Sequence, residues 1–337
     1  VIGMRNGAPG RARLAAVGAY VPERVVTNAE LERTLETTDE WIVSRTGIRE
    51  RRYAAPEQAT SDLAVEASRA ILAEAGVDAA DVDVVIVPTC TPDYLFPSVA
   101  ALTASAIGAH DAAAFDIQAA CSGFVYGLAQ AAAFVESGLA SNVLVVGAEL
   151  FSRLVDPTDR STCILFGDGA AGALVRRGDP ETTGGFLGFD MGADGSRGGD
   201  LIVPVGGTRH PASTPFAREE AFVQMNGREV FRFATRVMEE STLRLLDALE
   251  VSVDQVDLLV AHQANRRIID YAVERIGIDP DRVINNLERY GNTSAASIPL
   301  VMAEARDAGR LHPGDLVLMV GFGAGLTWAS ALARYEP

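Results

Sequence analysis

Short apolar runs alternate with longer amphipathic ones along almost the whole chain. VDVVIVPT (82–89), AAFDIQAA (113–120), NVLVVGAE (142–149), VDLLVAH (256–262) and DLVLMVGF (315–322) are rich in valine and leucine and bounded by Asp, Asn or Gly. Such runs predict buried strands. Between them, 61–76 and 226–250 carry apolar residues at spacings of three and four, as helices packed on a sheet do. Thr27 and Glu30 have capping-box spacing and predict a helix start. Strands alternating with helices argue for an α/β layered fold.

The pattern also repeats. The lead into VDVVIVPT, with its spaced Asp residues, resembles the lead into VDLLVAH. Cys121 to Gly138 and Asn292 to Gly309 are equally long, and each runs on to a strand, NVLVVG or DLVLMVG. Two related halves follow, 1–178 and 179–337, with the boundary expected in RRGDPETTGG (176–185), where charge, Pro and Gly cluster. In a duplicated α/β fold, chemistry is expected where strand ends of the two halves meet. That neighbourhood gathers Cys121, the end of VDLLVAH and Asn292.

Composition narrows the class. With 337 residues, 48% of them hydrophobic, the chain has enough material for a large core. Three cysteines, Cys90, Cys121 and Cys163, are too few and too odd in number for a disulfide scaffold, which points to a reducing compartment, the cytoplasm. The absence of a long apolar run and of an apolar core in VIGMRNGAPGRAR predicts a soluble protein with no membrane partner. A formal charge of −16 argues against nucleic acid, so an anionic partner needs a local basic patch.

Candidate chemistry centres on Cys121. Small neighbours, AA before it and SGF after it, leave room around the sulfur, and the N–H groups of a following helix would favour a thiolate with a lowered pKa. A lone cysteine is equally a buried filler; Cys90 and Cys163 have no helix start to argue otherwise. His262 ends a strand, a rigid support for a neutral-pH donor or acceptor, although a structural histidine fits too. Asn292, between glycine and threonine in RYGNTSAAS, reads as a turn residue or as a donor beside His262. No His or Cys spacing suggests a metal site. GFGAGLTWAS lacks the Lys-Ser or Lys-Thr ending of a phosphate loop, and is read as backbone approaching another element, with N–H groups at Gly323 and Ala324 facing an oxyanion. WIVSRTGIRERR supplies Trp41, Arg45, Arg49, Arg51 and Arg52, and HQANRR adds Arg266 and Arg267, a set suited to an adenine ring, phosphate or an acidic protein.

TTDEWIVSRTGIRERR, AACSGFVYGLA, PTDRSTCILFGDGAGA-like PTDRSTCILFGDGAAGA, HQANRRIID and RYGNTSAASIPL, in this order, resemble β-ketoacyl-acyl-carrier-protein synthase III. The resemblance runs from about Leu14 to Tyr335. It implies a thiolase-like duplicated five-layered α-β-α-β-α fold, a homodimer, and the initiating condensation of type II fatty-acid synthesis. Cys121 would accept an acyl group from acyl-coenzyme A, a substrate rather than a cofactor. His262 and Asn292 would serve decarboxylative condensation with malonyl-acyl-carrier protein. The same resemblance implies Cys121 and Ala324 N–H groups as an oxyanion hole and Phe322 as lining of the decarboxylation site. It implies Trp41 and Arg160 in coenzyme A contact, Arg266 and Arg267 in carrier docking, and Phe96 at an acyl pocket supplied across the dimer. Ser122, Ser161 and Ala324 depart from residues common in the family, but all are small. A related starter-unit enzyme of polyketide metabolism would carry the same triad.

Overall fold

The computed structural model describes residues 2–3, 11–178 and 184–337. In chain order its strands are β1 (Ile2–Gly3), β2 (Ala12–Tyr20), β3 (Arg24–Thr27), β4 (Glu50–Tyr53), β5 (Val84–Pro88), β6 (Ala113–Ile117), β7 (Asn142–Glu149), β8 (Gly169–Arg177), β9 (Gly185–Ala193), β10 (Leu201–Ile202), β11 (Gln224–Met225), β12 (Leu258–Ala261), β13 (Leu316–Gly323) and β14 (Thr327–Arg334). Its helices are α1 (Asn28–Leu31), α2 (Asp39–Thr46), α3 (Thr60–Ala75), α4 (Val99–Ile107), α5 (Gly123–Ser137), α6 (Gly227–Ala248), α7 (Arg266–Ile276), α8 (Leu287–Tyr290) and α9 (Ser297–Asp307). The five apolar runs are thus β5, β6, β7, β12 and β13, and the two long amphipathic runs are α3 and α6. At α1, Thr27 accepts from Glu30 N at 3.3 Å, while the Glu30 carboxylate pairs with Arg24.

Two five-stranded sheets form, in the orders β2-β8-β7-β5-β6 and β1-β9-β14-β13-β12. In each, a parallel pair (β5 with β7, β12 with β13) is followed by an antiparallel return (β7 with β8, β13 with β14). The boundary expected after residue 178 meets residues 179–183, which lie outside the described residues. The strands on either side, β8 and β9, belong to different sheets. One assignment needs correcting: β1, counted in the first half, pairs antiparallel with β9 in the second sheet.

Alternation along the strands explains the layers. On β7, Val143 and Val145 join the central core with Phe124, Leu128, Ile298 and Met302, while Leu144 and Val146 join an outer core with Leu63 and Ile71. On β13, Val317 and Met319 face the same centre, and Leu318 and Val320 face the far side with Phe233 and Ile269. A period of two therefore gives each sheet two apolar faces. Helices α5 and α9 fill the middle, α3 and α4 cover one outer face, and α6 and α7 the other. The result is five layers, α-β-α-β-α.

The turns before the two central helices show how the halves correspond. Each central helix is preceded by a 3-10 turn, Ala120–Ser122 before α5 and Ser294–Ala296 before α9, and each turn opens on a residue with positive φ, Ala120 (+47°) and Ser294 (+49°). Cys121 therefore corresponds to Ala295, not to Asn292. The equal spans from Cys121 and from Asn292 do not align the halves, because α5 has 15 residues and α9 only 11.

Candidate active site

The turn carrying Cys121 is pressed against β13 of the other half. A Cβ on Gly321 would meet Cys121 O at 3.1 Å, and one on Gly323 would meet Cys121 N at 2.5 Å. The glycines of GFGAG thus do what their sequence suggested, allowing two backbones to approach. Ser122 Oγ and Thr327 Oγ1 lie 2.8 Å apart, and Thr327 Oγ1 also donates toward Ala119 O at 2.9 Å or Ala324 O at 3.0 Å, tying residue 324 to the Cys121 turn.

Cys121, His262 and Asn292 line one cavity of about 360 Å³, together with Phe322 and Gly323. Each of the three is more than nine-tenths buried, whereas Arg45 and Arg267, also in its wall, are exposed. The cavity therefore closes over these three residues and opens at the arginines. His262 is held at the end of β12 by its N–H to Val320 O, 2.8 Å, and its ring meets that of Phe322 edge-on, centroids 5.3 Å apart. Its Nδ1 is 2.7 Å from Ser297 Oγ, which also accepts from Gln263 N at 3.4 Å, so Nε2 is left for the cavity. Asn292 bridges to Phe166, and its side-chain oxygen accepts from Ser294 N at 2.8 Å. That leaves its amide nitrogen as the group to donate to a ligand.

Burial decides the charge states. The His262 imidazole is pushed down to about 3 and is neutral at physiological pH. Cys121 overturns an expectation: instead of a lowered thiol pKa, burial raises it to about 12, against a smaller favourable contribution from Ser294. The helix start is present, but loss of water around the sulfur outweighs it. The resting group is a thiol.

Residues 115–195 match the family described as 3-oxoacyl-[acyl-carrier-protein (ACP)] synthase III, and residues 246–335 match its C-terminal family. A β-ketoacyl-[acyl-carrier-protein] synthase III of Desulfitobacterium hafniense is 49% identical over 325 residues, 96% of this chain and 97% of that one. The chain belongs to the β-ketoacyl-[acyl-carrier-protein] synthase III family. A relative of the same name from Roseiflexus castenholzii is 51% identical over 96% of this chain and 98% of its own. The crystal structure of the Thermus thermophilus synthase III superposes with a TM-score of 0.89 at 48% identity, covering 96% of this chain and 99% of that one. The five layers are thus the thiolase-like fold of this family, and the chain is an acyl-transferring condensing enzyme that initiates type II fatty-acid synthesis. These relatives favour that role over a polyketide starter enzyme.

In this synthase III chain the basic residues separate into different settings. Trp41 lines the cavity and has two guanidinium groups near its ring, Arg160 at 5.2 Å and Arg45 at 6.0 Å from the centroid. Arg267 stands 5.7 Å from the Phe231 ring at the rim, while Arg266 pairs with Asp270 at 2.6 Å. Arg51 does not belong to the patch. It is wholly buried, donating to Asn28 Oδ1 and Ile164 O at 2.7 Å each, because alternation along β4 turns it inward. Phe96 is 85% exposed beside exposed Tyr94 and Leu95, and lies outside the lining of this chain's own cavity. Among the described residues no helix is long and apolar enough to cross a membrane. Sequence reading passed over Ser294, Ser297 and Glu149; only their place beside the triad gives them interest.

Proposed function

We propose that Cys121 accepts the acyl group and that His262 and Asn292 serve the condensation. The observation that carries this reading is one cavity, open at the arginines, shared by a thiol from the first half and two hydrogen-bond donors from the second. Cys121 attacks the thioester carbonyl of a short acyl-coenzyme A. The tetrahedral oxyanion is met by the N–H groups of Cys121 and Ala324, and the coenzyme leaves. Malonyl-acyl-carrier protein then docks at Arg266 and Arg267 and threads its thioester past them.

Loss of carbon dioxide generates an enolate, whose oxygen accepts from Asn292 Nδ2 and His262 Nε2. A neutral imidazole suits that task. With Ser297 donating to Nδ1, Nε2 carries the proton that the enolate oxygen needs. The carbanion attacks the acyl-Cys121 thioester and releases a β-ketoacyl-carrier protein. Phe322 holds the His262 ring and keeps the decarboxylation site apolar, which favours departure of a neutral gas over a solvated carboxylate.

Trp41 with Arg45 and Arg160 nearby offers an aromatic surface and two cations for the adenine and phosphates of coenzyme A. The exposed Tyr94–Phe96 stretch is read as a homodimer contact that brings Phe96 to the partner's acyl pocket, and the protein as cytoplasmic, needing no bound cofactor. Purified protein incubated with acetyl-coenzyme A tests the central step. Intact mass should rise by one acetyl group in the wild type and stay unchanged in Cys121→Ala. Equal labelling of both would remove Cys121 from the role.

A further inference from the structure

Arg51 on β4 and Asp168, just before β8, are both wholly buried, and neither is ion-paired among the described residues. The Arg51 guanidinium donates to Asn28 Oδ1 and Ile164 O at 2.7 Å each and to Val26 O at 3.3 Å. The Asp168 carboxylate accepts from Ala54 N and Ser152 N at 2.8 Å each and from Ser152 Oγ at 2.6 Å. Every partner is neutral. A buried charge held in this way is costly, so what it holds bears on what it does.

Between the two lies the segment 164–168, and β4 grips both of its ends. Arg51 fixes the first carbonyl, that of Ile164; at the other end Asp168 N donates to Arg52 O at 2.9 Å while its carboxylate takes Ala54 N. The middle of the segment pairs with Asn292. Asn292 N donates to Leu165 O at 2.8 Å, and Gly167 N donates to Asn292 O at 3.0 Å, so both main-chain groups of Asn292 are engaged by the first half. The fit is close. A Cβ on Gly167 would run into Tyr290 O and stand 3.0 Å from Arg51 Cβ, and one on Gly291 would lie 2.7 Å from Leu165 O. Ile164, Leu165 and Phe166 also line the cavity beside Asn292.

A donor to a developing charge has to be held within about 0.5 Å of its productive place by groups that are themselves locked. With Asn292 read as a donor in the condensation, we propose that Arg51 and Asp168 are positioning residues for it, gripping the segment 164–168 so that Asn292 Nδ2 meets the enolate oxygen. The planar fork of an arginine suits this task, since its two terminal nitrogens reach Asn28 and Ile164 in fixed directions, which a point-charge ammonium does not reproduce. Asn28 is fixed in turn. Its Nδ2 donates to Asp39 Oδ1 and Ile48 O at 2.8 Å each, so Arg51 braces the segment against the start of α2 and the chain that follows it.

Arg51→Lys and Ser152→Ala, each alone and each combined with Asn292→Ala, make the test, with Cys121 acetylation and condensation followed separately in single turnovers. Ser152→Ala removes one hydrogen bond from Asp168 and keeps its carboxylate. Condensation should fall about tenfold in Arg51→Lys and about threefold in Ser152→Ala, while acetylation at saturating acetyl-coenzyme A stays within about twofold of the wild type. Combined with Asn292→Ala, neither change should cause a further loss, because the donor they place is gone. Losses that multiply with that of Asn292→Ala, or acetylation that falls as far as condensation, are what general loosening produces and would overturn the proposal. Undiminished condensation in the variants that fold overturns it as well. Should Arg51→Lys fail to fold, Ser152→Ala carries the same comparison. Full condensation by Asn292→Ala itself would instead defeat the assignment of Asn292 to the reaction, and the proposal with it.

Discussion

Gly323 carries no side chain where Cys121 needs the space: a Cβ would lie 2.5 Å from Cys121 N and 2.9 Å from Ala120 Cβ. The proposed nucleophile of one half is thus seated by a missing methyl group in the other. Gly323→Ala is expected to displace the Cys121 turn. Overpacking of this kind costs roughly 1–3 kcal/mol. A thermal melt should register that loss, and acetyl transfer should fall by more than the fraction unfolded explains. Gly195→Ala, where a Cβ meets nothing within 4 Å, is the control and should leave both unchanged.

Under the proposed mechanism, variants at Asn292 and Ser297 should separate the two half-reactions. Removing a donor to a developing charge costs about 3–4 kcal/mol, so Asn292→Ala should retain acetylation of Cys121 while condensation falls on the order of 10²–10³-fold. Ser297→Ala leaves the His262 tautomer unsupported and should lower condensation by about tenfold, again sparing acetylation. Single-turnover assays with each substrate supplied separately make the comparison. Equal losses in both half-reactions would contradict the division.

Trp41 and the guanidinium groups near it should affect substrate capture rather than chemistry. Stacking and cation–π contacts of this kind are worth about 0.5–2 kcal/mol. Trp41→Ala and Arg160→Ala are therefore expected to raise KM for acetyl-coenzyme A by about 2- to 30-fold with kcat nearly unchanged. Steady-state kinetics at several coenzyme concentrations distinguish this from a loss in kcat.

Glu149, wholly buried at the end of β7, should leave a mark on stability against pH. Its folded pKa, about 7, lies above the ordinary 4.5, so the folded state binds a proton more tightly than the unfolded state does. That contribution is present below pH 4.5 and lost as pH rises through 7, on the order of 3 kcal/mol over the window. His262 acts oppositely: depressed from 6.5 to about 3, it destabilises the fold as pH falls through that range. Denaturant midpoints from pH 4.5 to 8 should therefore rise with pH more steeply in Glu149→Gln than in the wild type. Parallel profiles would mean that Glu149 does not titrate there.

The amino-acid order by itself determined the layered α/β class, because valine-rich runs and amphipathic runs set local conformation and faces within a few residues. It also determined Cys121, His262 and Asn292 as candidates, each marked by neighbours that are small, strand-ending or turn-forming. What it did not determine was how the halves correspond, since a helix shorter by a turn hides the equivalence of Cys121 and Ala295 until backbone conformation reveals it. Nor could it decide the resting state of the thiol or the inward turn of Arg51. Both depend on how much water packing excludes, a sum over neighbours distant in the chain. Glu149, Ser294 and Ser297 stayed silent for the same reason. Nothing local distinguishes them from ordinary polar residues; only the meeting of two sheets across α5 and α9 sets them around one sulfur and one imidazole.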